Sequence, residues 1–294
     1  MENNTKIEFM STGASNKVRF DKDKAYRRFL MLTGQENEIS RHKLVIRILW
    51  QSAAVLVLML AISYVSYLQG RKHTDIPSAD IYIESPSGSK VKTSLPDGTR
   101  IWLNTDSKLT YSQGFGLKER KVYLNGEGYF EVTKNANLPF IVQTDELLVN
   151  VTGTKFNFQN YPEDREAKVT LLEGKVTIEN HVKPCETISL EHNQKFILNK
   201  KDGMKRITEV TASNDILWTR DYLFFDEAFI SDIAKKLERN FDVSITVDPK
   251  LSNQRFYGTF ICKEQSIKDI LNRLSATGKL NYSMKGKEIM LKPK

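Results

Sequence analysis

Residues 48–68 (ILWQSAAVLVLMLAISYVSYL) run for 21 positions without a charged side chain, and no other feature constrains this chain so strongly. At about 1.5 Å per helical residue the run reaches roughly 31 Å, the thickness of a bilayer's hydrocarbon core. Arg41, Lys43 and Arg47 stand before it and Arg71 and Lys72 after it. Trp50, Tyr64 and Tyr67 lie near its ends, where amphipathic rings suit the water–lipid boundary. Ile48, Trp50, Tyr64 and Leu68 are thus the expected membrane-anchor residues. A buried core helix is the plainer alternative, but few soluble helices are apolar all round for this length. A cleaved signal peptide fits worse: its apolar stretch is about 7–15 residues, and no small-x-small site follows this one.

The flanking charges set an expected orientation. Of the twenty residues nearest the run, those before it include Arg28, Arg41, Lys43 and Arg47, and those after it only Arg71 and Lys72. The positive-inside rule then places residues 1–47 in the cytoplasm and the bulk of the chain outside. With 40% hydrophobic and 27% charged residues the remainder reads as folded, not disordered. The net charge of +8 is dispersed among acidic residues, so no nucleic-acid-binding arm is expected. Cys185 and Cys262 are too few for a zinc site or a disulfide framework. A bond between them would staple two outer domains; two free thiols are the favoured reading. His181 and His192 lack metal-ligand spacing, and no cofactor or metal is expected.

From residue 90 to about 210 the sequence alternates like short strands between turn residues. Expected strands at 91–95 and 100–104 flank Pro96-Asp97-Gly98, a turn in which Pro presets φ and Gly supplies freedom. Strands at 120–124 and 129–132 flank Asn125-Gly126-Glu127-Gly128, also read as a turn. Further strands fall at 140–144, 147–151, 155–161, 168–172, 175–179, 187–190 and 195–198. The pattern predicts an all-β domain over 86–215, joined to the membrane helix by a linker at 69–85. After Trp218 it changes. Residues 226–240 place Phe229, Ile230, Ile233, Ala234 and Leu237 on one helical face, with Lys235, Lys236, Glu238 and Arg239 mostly on the other and Asp226 as cap. Strands at 243–247 and 255–260 follow, then a helix opened by a Ser266/Asp269 capping box, then strands at 280–284 and 288–291. Residues 220–294 therefore read as a small α+β domain of order β-α-β-β-α-β-β.

These stretches together resemble the FecR family of transmembrane anti-sigma regulators. The likeness rests on 95–104 (LPDGTRIWLN), 107–111, 120–132 (RKVYLNGEGYFEV), 139–142, 153–158 and 169–176 (VTLLEGKV). Residues 222–293 resemble the carboxyl-terminal domain found in FecR proteins of Bacteroidetes, which is related to the short amino-terminal domain of secretins and TonB-dependent transducers. The resemblance implies a single-pass inner-membrane protein with its bulk in the periplasm. It implies an extracytoplasmic-function (ECF) sigma factor as cytoplasmic partner and a TonB-dependent outer-membrane transducer as periplasmic partner, with inner-membrane lipid around the helix. Neither catalysis nor direct nucleic-acid binding belongs to that role. The inner segment is shorter than the family's usual sigma-binding region, and residues 21–32 match only the part nearest the membrane.

Within that segment Ala25, Tyr26, Phe29 and Leu30 form an apolar stripe flanked by Arg27 and Arg28. It serves equally a helix that packs on a sigma factor and a basic amphipathic helix on anionic lipid. Glu288, Ile289, Met290 and Leu291 are the expected edge strand for the transducer, because an open edge offers unpaired N–H and C=O groups. Glu127 and Glu131 do not read as a hydrolytic pair: four residues apart in a strand, they are about 13 Å apart, beyond the roughly 9.5 Å limit for such pairs. The competing reading of the whole chain is a membrane-anchored periplasmic scaffold or adaptor for an outer-membrane transport or secretion complex.

Overall fold

The computed structural model describes residues 21–33, 35–72, 80–183 and 187–294, in two units, 1–74 and 75–294. In the first, helix α1 (Lys22–Thr33) opens where the Asp21 carboxylate accepts from the N–H groups of Asp23 and Lys24 at 3.1 and 3.2 Å, a side-chain N-cap. Helix α2 (Gln35–Lys72) runs 38 residues, so the apolar run is part of a longer helix that extends mostly before it. Among the described residues, His42–Tyr67 is the one helical stretch long and apolar enough to cross a membrane.

The second unit begins with thirteen strands: β1 (Asp80–Ser85), β2 (Val91–Ser94), β3 (Arg100–Leu103), β4 (Ser107–Ser112), β5 (Arg120–Glu131), β6 (Phe140–Gln143), β7 (Leu147–Val151), β8 (Lys155–Asn160), β9 (Glu166–Glu173), β10 (Val176–Asn180), β11 (Thr187–Leu190), β12 (Gln194–Asn199) and β13 (Lys205–Glu209). They form two layers in the orders β11-β10-β7-β6-β5-β4-β1 and β2-β3-β5-β8-β9-β12-β13. All pairs are antiparallel except β5 with β6. Alternate residues such as Leu109, Val122, Phe130, Phe156, Val169 and Phe196 are fully buried in one core. Phe130 and Phe156 stack there at 5.0 Å.

Strand β5 belongs to both layers. Its first half, to Asn125, pairs with β4 and β6; its second, from Gly126, pairs with β3 and β8. The turn expected at Asn125-Gly126-Glu127-Gly128 is therefore a bend inside one strand, the way a chain passes between packed sheets. Gly126 makes it possible: its φ is +110°, and a Cβ there would lie 2.3 Å from Ser107 Oγ. The expected linker is also shorter, since residues 80–85 are β1, paired along β4.

A 3-10 helix (Ala212–Arg220) leads to β14 (Tyr222–Phe229), α3 (Ile230–Phe241), β15 (Ser244–Val247), β16 (Arg255–Ile261), α4 (Ile267–Ala276), β17 (Leu280–Lys285) and β18 (Glu288–Pro293). Sheets β14-β16 and β15-β18-β17 share a core with both helices, built on Phe225, Ile233, Leu237, Phe260, Leu271 and Leu291. The first helix starts four residues later than the expected 226: Asp226 and Glu227 occupy a bulge in β14 between Phe225 and Ala228. The β14–β16 ladder outweighs a side-chain cap of about 1 kcal/mol. The Ser266/Asp269 capping box opens α4.

Candidate functional site

On α1, Tyr26 and Phe29 are exposed together with Ala25, and Leu30 is half-buried. Met31 and Leu32 are also bare, so the apolar stripe is uncovered within its own unit. On α2, Ile48, Trp50 and Tyr64 are exposed, as side chains facing lipid would be, and Leu68 is helical.

The expected edge strand is not an edge. β18 lies between β15, parallel, and β17, antiparallel, so both of its backbone faces are paired. Ile289 and Leu291 are in the core, leaving Glu288 and Met290 outward. The chain leaves β15, passes through β16, α4 and β17, and returns with β18 parallel beside it, a long-range pairing that local pattern does not reveal. On the far side of β15, the Ile245 N–H donates to Glu238 Oε1 of α3 at 2.7 Å. The sheet's outer strands are β15 and β17, and β17 makes no backbone hydrogen bond on its outer side among the described residues. Its two-residue loop, Gly286-Lys287, makes Lys285 and Glu288 the closing hydrogen-bonded pair. Tyr282 and Met284 then fall at positions whose N–H and C=O face away from β18.

The densest polar constellation joins the β layers to the α+β domain. Arg239, at 7% exposure, extends from α3 with Nη1 2.6 Å from Glu163 Oε1 and 3.1 Å from Asp164 Oδ1. Its guanidinium lies 3.7 Å from the Tyr161 ring centroid. Lys235 approaches Asp164 at 3.6 Å, and Gln159 Nε2 donates to Asp164 Oδ2 at 2.9 Å. Burial pushes the Asp164 carboxyl up, but the charge and hydrogen bonds of Arg239, with Gln159 and Lys235, hold it below its ordinary value. Burial raises the Tyr161 hydroxyl, which donates to the Thr105 carbonyl at 2.8 Å.

Nearby, Asp221 takes a left-handed conformation (φ 65°) that turns the chain from the 3-10 helix into β14. It pairs with Lys90 at 2.7 Å and Lys263 at 2.6 Å. Partial burial works against its charge, but the two ammonium groups lower its pKa. The Gly88 N–H donates to the Arg239 carbonyl at 2.8 Å. The β1–β2 turn is thus tied to the end of α3. Trp218 Nε1 donates to Asn157 Oδ1 at 3.2 Å; Asn157 Nδ2 and Asn104 Nδ2 donate to Glu127 at 2.9 and 2.8 Å. The joint encloses about 60 Å³, enough for water and too little for a metabolite-sized ligand.

The helical period puts Arg239 on the face opposite the apolar one, and nothing local in the sequence singles out Asp164 or Tyr161. The one local signal was Trp218, where the pattern changes. Glu127, expected in a turn, is a buried strand residue held by two amides, and Glu131 pairs with Arg100. Cys262 is half-buried and free, with burial raising its thiol; Cys185 lies outside the described residues. His192 Nδ1 lies 2.6 Å from the Leu172 carbonyl. Among the described residues no cluster of His, Cys, Asp or Glu is placed to hold a metal ion.

Residues 81–177 match the family described as FecR protein, and residues 222–291 the family described as FecR, C-terminal. Two crystal structures of a candidate anti-sigma factor from Parabacteroides distasonis ATCC 8503, at 1.65 and 2.50 Å resolution, are similar to this chain. Each aligns at a TM-score of 0.68 with 28% identity, covering 73% of this chain and 99% of its own. No curated protein matches the sequence.

Proposed function

The chain belongs to the FecR family of anti-sigma regulators, and from that premise we propose that it relays a signal from a TonB-dependent outer-membrane transducer to an ECF sigma factor. In this reading α2 crosses the inner membrane once, with α1 in the cytoplasm and residues 80–294 in the periplasm. The excess of Arg28, Arg41, Lys43 and Arg47 over Arg71 and Lys72 supports that orientation. The Ala25–Tyr26–Phe29–Leu30 stripe packs on the sigma factor and covers a surface it needs for polymerase or promoter. The carboxyl-terminal domain meets the transducer through the open edge of β17, main-chain bonds giving affinity and alternate side chains selectivity. The Arg239 joint makes the outer domains one body, so an event at β17 reaches the β1–β2 turn through rigid contacts instead of a slack linker.

The observation that carries this reading is the bare apolar stripe of α1, immediately before a bilayer-length helix in a chain of this family. The test is co-purification of the full-length protein from membranes with its cognate sigma factor. Wild type should retain the sigma factor, and Phe29→Asp should release it while staying in the membrane fraction. Retention by the Asp variant, or none by wild type, would overturn the assignment.

A further inference from the structure

The solvent face of the first β layer carries a second feature that the relay does not use. Tyr82 on β1, Thr110 on β4, Tyr123 on β5 and Gln143 on β6 stand in one cross-strand row. Their sequence neighbours Leu109, Val122 and Val142 are fully buried, so by alternation the row faces away from the core. Both tyrosines are large and exposed, at 63% and 48%. One strand separates them, roughly 10 Å across the sheet. The row ends in a cavity of about 370 Å³ lined by Thr110, Tyr123, Gln143, Asp145, Glu146 and Asn160, among others, within the lower range of small-molecule sites of about 300–1,000 Å³.

The polar groups there are unevenly engaged. Lys200 donates to the Tyr161 carbonyl at 2.6 Å and lies 3.4 Å from Glu146. Lys108 pairs with Glu84 at 2.7 Å and lies 4.6 Å from the Tyr82 ring centroid. Both cations lining the cavity are therefore committed, and an anionic ligand finds no free partner. Acceptors are in surplus. Asn160 Nδ2 donates to Glu146 Oε2 at 2.6 Å, which fixes the carboxamide orientation and leaves Asn160 Oδ1 buried with no partner among the described residues. That oxygen is closed to solvent, so the acceptors within a ligand's reach are the exposed ones. Asp145 is exposed beside it, and neither it nor Gln143 nor Thr110 makes a side-chain hydrogen bond among the described residues.

From these groups we infer that this face binds a neutral oligosaccharide, with one sugar in the cavity and the chain running along the Tyr123–Tyr82 row. Sugar hydroxyls supply the donors that Asp145 and the Gln143 carbonyl lack, and the apolar faces of successive rings lie on the two amphipathic tyrosine rings in place of the Lys108 and Lys121 ammonium groups, now 4.6 and 5.0 Å from their centroids. A peptide strand would seek an open sheet edge; this is a sheet face, with side chains and not main chain on offer. The inference does not depend on the relay to a sigma factor.

The test is binding of the full-length protein in lipid nanodiscs, free of sugar-based detergent, to an array of immobilised neutral oligosaccharides of one to six units. Wild type should retain at least one of them, more strongly as the chain lengthens. Tyr123→Ala should weaken retention about tenfold, Asp145→Ala should also weaken it, and Tyr123→Phe should keep it. Tyr82→Ala should abolish the preference for longer chains. Both tyrosines and Asp145 are exposed, so these variants keep the core intact, and the melting temperature checks this. No retention by wild type overturns the inference; so does retention indifferent to Tyr123→Ala.

Discussion

The guanidinium of Arg239 lies over the ring of Tyr161 at 3.7 Å while its Nη1 reaches both Glu163 and Asp164. One side chain of the α+β domain thus makes a stacking contact and two ion pairs with the β domain. Removing it strands the mostly buried Asp164 with Lys235 and Gln159 alone. Arg239→Met should cost about 3 kcal/mol, as breaking a buried pair does. In limited proteolysis the connector at residues 211–221 should be cut before either domain, whereas in the wild type it should be protected. Equal protection of both proteins would refute the joint.

Acid should open the same joint. The folded-state pKa of Asp164 is held below its ordinary value, so its stabilising contribution is complete above the unfolded pKa and is lost as pH falls through the lower folded value. The wild-type melting temperature should drop steeply only below about pH 4. Asp164→Asn should start lower and show a shallower fall. Melting curves from pH 2.5 to 7 on both proteins decide the matter.

Two glycines with positive φ should respond differently to a methyl group. At Gly126 (φ +110°) a Cβ would sit 2.3 Å from Ser107 Oγ and 2.7 Å from its Cα, whereas at Gly286 (φ +62°) nothing lies within 4 Å. Gly286→Ala should cost about 1 kcal/mol from backbone conformation alone. Gly126→Ala adds overpacking against backbone and should cost about 2–4 kcal/mol. Chemical denaturation of the two variants side by side measures the difference.

The β17 edge can be closed without breaking the β17–β18 ladder, at the cost of the partial packing of Met284 against the core. The Met284 N–H faces outward, so Met284→Pro removes no ladder hydrogen bond and is the kind of substitution edge strands accept. It should leave the fold intact and abolish capture of the transducer in a pull-down, as should deletion of residues 222–294. Capture undiminished in both would place the docking surface elsewhere.

Much of this architecture is legible in the chain because its signals are local. The chargeless run at 48–68, the period-two alternation of Arg100-Ile101-Trp102-Leu103 and the Ser266/Asp269 box each declare an element within a few residues. The misreadings share a cause. Asn125-Gly126 signals positive φ, but a hairpin turn and a bend between sheets need the same backbone freedom. Asp226 caps as well as any aspartate, yet β16, paired from thirty residues away, draws it into a strand. β18 looks like an edge because it comes last, and only its parallel pairing with β15 shows otherwise. The joint was invisible for the same reason: Arg239 and Glu163 are 76 positions apart, and Lys90 and Asp221 are 131.

Strand β5 has a consequence for how the family's sequences can vary. A hairpin tip can gain or lose a residue and leave its neighbours in step. Between Asn125 and Gly128 the same chain is threaded through two ladders at once, and a one-residue insertion would invert inside and outside for everything on one side of it. Evolution can lengthen this protein at its loops, but it has only one spacing available where β5 changes layers.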